Sequence, residues 1–82
     1  MRPGLRWGPV MLPGGTKLRT KYRGERLIAT VVEEAVEWQG PRFESVASAV
    51  NSMRGGTSNN AWKVLQVKRP HDVNWQAAEL LR

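Results

Sequence analysis

Eighty-two residues make a single domain, small enough that folding buries only about 60–65% of the surface the unfolded chain exposes. The absence of cysteine excludes a disulfide framework and thiolate metal sites, and a lone histidine, His71, excludes a histidine-built metal centre. Thirteen Lys and Arg against seven Asp and Glu give a net charge of +6, and a hydrophobic fraction of 40% argues against whole-chain disorder.

Residues 1–15 hold Pro3, Gly4, Gly8, Pro9, Pro13, Gly14 and Gly15. That density of breakers predicts an irregular N-terminal arm, with Trp7 and Val10-Met11 tacking it to the body. No apolar run follows Arg2 and Arg6, so no secretory signal is expected and a cytoplasmic location is. The longest apolar stretches, around Leu27 to Val32, fall far short of a membrane span.

The segment Thr16 to Arg23 alternates, with Leu18, Thr20 and Tyr22 on one side and Lys17, Arg19, Lys21 and Arg23 on the other. Such alternation predicts a half-buried strand with a cationic outer row. Gly24 marks a tight turn, and Arg26 to Val32, rich in branched residues, reads as the returning strand. A two-residue Arg23-Gly24 loop pairs Tyr22 with Glu25, Lys21 with Arg26, Thr20 with Leu27, Arg19 with Ile28 and Leu18 with Ala29. In that register Leu18, Thr20, Leu27 and Ala29 share the core face, and Lys17, Arg19, Lys21 and Arg26 share the other.

Glu33-Glu34-Ala35 reads as a turn, Val36 to Gln39 as a third strand, and Arg42 to Glu44 as a very short fourth one after Gly40-Pro41. Ser45 is a good helix N-cap. Behind it Val46, Ala49, Val50 and Met53 form one apolar stripe, which Gly55-Gly56 ends. After a polar loop, Ala61 to Val67 reads as a last strand, with Trp62 and Val64 on one face. Asp72 or Asn74 is placed to cap a short helix over Val73 to Leu81. The expectation is an α+β domain over residues 16–68: an antiparallel meander of four to five strands with one short helix on one face, followed by a tail or short helix over 69–82.

The charge is segregated along the chain. Residues 1–26 hold seven cations and only Glu25, residues 27–50 hold Arg42 against Glu33, Glu34, Glu37 and Glu44, and residues 51–82 are again basic. That asymmetry favours oriented encounter with a polyanion. No Gly-rich phosphate loop follows a strand, no pair of carboxylates has surroundings that would split their pKa values, and His71 lies in a linker. The reading is therefore a non-enzymatic binding module without a cofactor. Alternate strand residues repeat every ~6.8 Å and each DNA strand presents a phosphate every ~3.4 Å, so the cations Lys17, Arg19, Lys21, Arg23 and Arg26 suit phosphate contact. The loop Thr57, Ser58, Asn59, Asn60 with Trp62 offers hydrogen-bonding groups and a ring that could read or stack on a base. The bland reading of the loop is a polar connection, and that of Trp62 a core side chain in phase with Val64. DNA is the expected partner. An acidic protein is the alternative, and single-stranded RNA stacking on Trp7 and Trp75 a third reading.

The basic strand ending in Tyr22-Arg23-Gly24, the Trp38-to-Gly40 strand, the step Phe43 to Ala49, and Ser58 to Trp62 together resemble the RAMA (restriction-enzyme adenine-methylase-associated) domain. They are equally similar to a related uncharacterised prophage-borne family. The resemblance covers about residues 12–68. It implies a small β-rich module that recognises modified DNA, with Ser58, Asn59, Asn60 and Trp62 near the reader site and the basic strands on phosphates. The family usually carries Asn-Gly before its Trp, where this chain has Asn60-Ala61, a residue that resists left-handed backbone.

Overall fold

The computed structural model describes residues 4–56 and 60–82. In chain order the elements are β1 (Gly4–Trp7), β2 (Val10–Pro13), β3 (Lys17–Tyr22), β4 (Glu25–Val32), β5 (Ala35–Glu37), β6 (Arg42–Phe43), α1 (Val46–Met53), α2 (Ala61–Val64), β7 (Gln66–Lys68) and β8 (Gln76–Ala77). A 3-10 turn over Ala78–Leu81 closes the described chain. Strands β3 to β8 form one antiparallel sheet in the order β6-β5-β4-β3-β7-β8, and β1-β2 is a separate ribbon. The α+β meander with a helix on one face is as expected, enlarged by β8, which joins through β7, and by the ribbon.

The β3–β4 register is the one the sequence predicts, from Tyr22 opposite Glu25 to Leu18 opposite Ala29. Arg23 and Gly24 take φ of 52° and 79°. Two left-handed residues in a two-residue loop match the right-handed twist of the strands they join. Leu18, Ala29 and Val31 are fully buried, and Thr20 with them. Helix α1 begins at the Ser45 cap, whose side chain accepts from the Ser48 N–H, and buries Val46, Ala49, Val50 and Met53 against that face. Arg54 then donates from Nη1 to the Thr20 hydroxyl at 3.1 Å and to the Lys21 carbonyl at 2.7 Å, so the buried threonine is satisfied.

Three expectations are corrected. Residues 4–13 are a hairpin rather than an irregular arm. Its breakers punctuate the strands: Gly8-Pro9 is the turn, with Gly8 at φ 59°, and Pro13 ends β2. Leu5, Trp7, Val10 and Leu12 then face one way into the core. Thr16 ties the ribbon to the sheet, its hydroxyl on the Pro13 carbonyl and its own carbonyl on the Val31 N–H.

The segment Ala61 to Val67 is not one strand. Asn60 accepts from the Trp62 N–H and starts a single helical turn, so only Gln66–Lys68 pairs with β3. The buried side chains there are Ala61, Leu65 and Val67, not Trp62 and Val64.

The C-terminal helix over Val73 to Leu81 is replaced by β8 and the 3-10 turn. Ala78 donates to the Leu65 carbonyl at 3.0 Å, and Asp72 is taken by Arg69 instead of a helix end.

The α1 stripe, the ribbon and the inner row of the sheet thus form one core, and among the described residues the opposite face of the β3–β4 pair is left open. Leu18→Ala should lower the unfolding free energy by about 2–5 kcal/mol, whereas Ile28→Ala, on the open face, should change it by no more than about 0.5 kcal/mol. Urea denaturation with unchanged slope checks the pair.

Arg69 donates its side chain and its backbone N–H to the Asp72 carboxylate, at 2.9 and 2.8 Å, and these bonds hold the carboxyl below its ordinary value. A depressed folded-state pKa adds stability above the unfolded value that is lost as pH falls through the folded one. The Asp72 carboxyl carbon shift should therefore titrate below an ordinary aspartate, and Arg69→Ala, which keeps the backbone N–H, should move it part of the way back.

Candidate functional site

Side chains alternate across a strand, so directly paired residues share a face. The pairings Lys17–Lys68, Lys17–Thr30, Arg19–Ile28, Arg19–Gln66 and Lys21–Arg26 place five cations, Lys17, Arg19, Lys21, Arg26 and Lys68, on the open face of the sheet. Lys17, Lys21 and Arg26 are exposed, and Arg19 and Lys68 are half-exposed. Among the described residues none of the five is in an ion pair.

The acidic middle of the chain does not neutralise this surface. Glu25 pairs with Tyr22 and so belongs to the other face, and Glu33-Glu34 form the β4–β5 turn. Glu37 reaches the open face through its pairing with Thr30, but its carboxylate lies 3.4 Å from Arg42. Two pairs of like charge, Lys17 with Lys68 and Lys21 with Arg26, therefore stand directly opposite one another, an arrangement that opposes folding.

Arg19 is held in place. Its guanidinium lies 4.2 Å from the Trp75 ring centroid, and its Nε donates to Gln66 Oε1 at 2.8 Å, with Nη2 on the same oxygen. A guanidinium stacked and anchored in this way loses less freedom when it meets an anion.

Of the residues the sequence brings forward, Lys17, Arg19, Lys21 and Arg26 come together on this face. Arg23 does not. It occupies the first left-handed position of the turn, and its guanidinium lies 5.2 Å from the Tyr22 ring centroid. Thr57, Ser58 and Asn59 lie outside the described residues. Asn60 is a helix cap, as above. Trp62 stacks on Trp7 at 3.7 Å between centroids and 5° between planes, with Arg82 4.8 Å from its ring centroid. A parallel ring at 3.7 Å fills one side of the indole, so the guanidinium takes the other. Gly8 permits this packing, because a Cβ there would stand 3.2 Å from the Trp62 ring.

Two cations were not singled out by sequence. Lys68 becomes legible once Leu65 and Val67 are read as the inward pair, which turns Gln66 and Lys68 outward. Lys63 carries no such signal. It borders a groove that forms because β7 pairs with β3 only as far as Arg19, while β3 runs on to Tyr22. The groove measures about 410 Å³, with Arg19, Lys21, Arg26 and Lys63 around it and Val64, Leu65 and Ala77 among its walls.

No family model matches the chain, and neither a curated protein nor a solved structure does. Among the described residues no helix is long and apolar enough to cross a membrane.

If Trp62 serves packing, Trp62→Phe should cost about 1 kcal/mol of stability and abolish the exciton-coupled circular dichroism of the indole pair. It should leave polyanion affinity unchanged in an anisotropy titration.

Proposed function

We propose that the open face of the sheet binds the phosphate backbone of DNA. The observation that carries this reading is the set of Lys17, Arg19, Lys21, Arg26 and Lys68, on one face without carboxylate partners among the described residues. Like charges directly opposed across a sheet are destabilising, a penalty that folding alone gives no reason to retain. An anionic ligand removes it.

Backbone contacts of this kind position a protein without reading sequence. The resemblance to the RAMA domain supports DNA as the polyanion and suggests a reader of modified bases. Trp62 is stacked and the Asn60 side-chain oxygen accepts from the Trp62 N–H, so neither that ring nor that oxygen is free to read a base. The exposed Ile28, at 48% of its free surface in the middle of the cations, favours the alternative of an acidic protein surface. Polyglutamate as competitor separates the two, since a DNA-backbone site should prefer the duplex at equal charge.

Neutralising four or five phosphates gives a slope of about −4 in a plot of log affinity against log salt, and Lys68→Glu should reduce its magnitude by about one. The same substitution turns the Lys17–Lys68 repulsion into an attraction and should raise the urea midpoint. A slope near zero, or no binding at low salt, removes the reading.

A further inference from the structure

We infer that the groove between β3 and the α2–β7 segment seats one nucleoside phosphate unit. This deepens the proposed DNA-backbone reading and rests on it for the strand-borne form of the ligand. Four cations converge on the groove from three elements: Arg19 and Lys21 from β3, Arg26 from β4 and Lys63 from α2. No carboxylate is among its lining residues, and none of the four is in an ion pair among the described residues.

Its walls differ from the rest of the open face. Val64 and Ala77 contribute apolar surface over the buried Leu65, and Gln66 contributes a polar group. A volume of about 410 Å³ is far more than one phosphate needs and lies at the lower end of small-ligand pockets. A site with cations around an apolar wall is matched to a group that is anionic at one end and an apolar ring at the other. Phosphate meets Lys21, Arg26 and Lys63, and the sugar and base meet Val64 and Ala77, with Leu65 directly beneath. Arg19, stacked on Trp75 and bonded to Gln66, presents a fixed guanidinium at the side of the groove nearest the cation row. The groove is continuous with that row, so a strand lying along the open face can deliver an unpaired nucleotide into it. A free nucleotide has the same chemistry.

The test compares wild type, Lys63→Glu and Lys17→Glu. Lys17 belongs to the row but does not line the groove. Fluorescence anisotropy is measured with a short blunt duplex and with the same duplex carrying a single-stranded overhang, and methyl shifts of Val64 and Leu65 are followed on adding deoxyadenosine monophosphate. Lys63→Glu should weaken the overhang probe about tenfold and the blunt duplex about twofold or less, while Lys17→Glu should weaken both alike. The Val64 and Leu65 methyls should move with the overhang in wild type and stay in place in Lys63→Glu.

Movement of the same methyls with the free mononucleotide, also lost in Lys63→Glu, supports the groove even if neither duplex binds, an outcome that would remove only the backbone reading. Equal effects of Lys63→Glu on both duplexes, with no methyl response to overhang or mononucleotide, overturn the groove and leave the backbone reading standing.

Discussion

Everything about this molecule depends on the pairing of β3 with β4 through the Arg23-Gly24 turn. A two-residue loop with both residues at positive φ admits one register, and a slip by one residue would exchange the two faces. In the observed register Leu18, Ala29 and Val31 are buried, and Lys17, Arg19, Lys21 and Arg26 point away from them. One backbone constraint thus separates the core from the charged surface. Helix α1 and the β1–β2 ribbon cover the first face because it is apolar. On the second, Trp75 lies against Arg19, and Lys17, Lys21 and Arg26 are exposed.

That second face is in tension with stability. A domain of this size has few kcal/mol to spare, yet it carries Lys17 against Lys68 and Lys21 against Arg26 in neighbouring strands. A protein shaped by stability alone gains from a glutamate at any of these positions. Of the glutamates in the chain, Glu33 and Glu34 lie in a turn, Glu25 is on the other face and Glu37 stands against Arg42. Local violations of folding rules tend to mark functional positions, and this violation has a definite sign and place.

How far the sequence foretells the structure differs by element. The hairpin and α1 were legible because independent signals agree: alternation with the turn in one case, the Ser45 cap with a four-residue stripe in the other. The N-terminal ribbon was obscured because glycine and proline counts do not reveal whether a breaker falls within a strand or between two. Arg23 reads as part of the cationic row only if the turn is ignored, since a two-residue loop removes it from the strand. The partner of Trp62 is Trp7, far along the chain, so alternation with Val64 carried no information about its surroundings. The groove was illegible for a related reason: it exists where β7 stops pairing with β3, a property of the assembled sheet.

On the proposed reading the open face attracts a polyanion because its five cations lack carboxylate partners among the described residues. Amide shift mapping of the protein with duplex DNA at low and at high salt tests it most directly. Salt-sensitive shifts concentrated along Lys17 to Arg26 and at Lys68, with α1 silent, are the expected result on that reading. Shifts spread evenly over the molecule, or centred on α1 and the β1–β2 ribbon, contradict it.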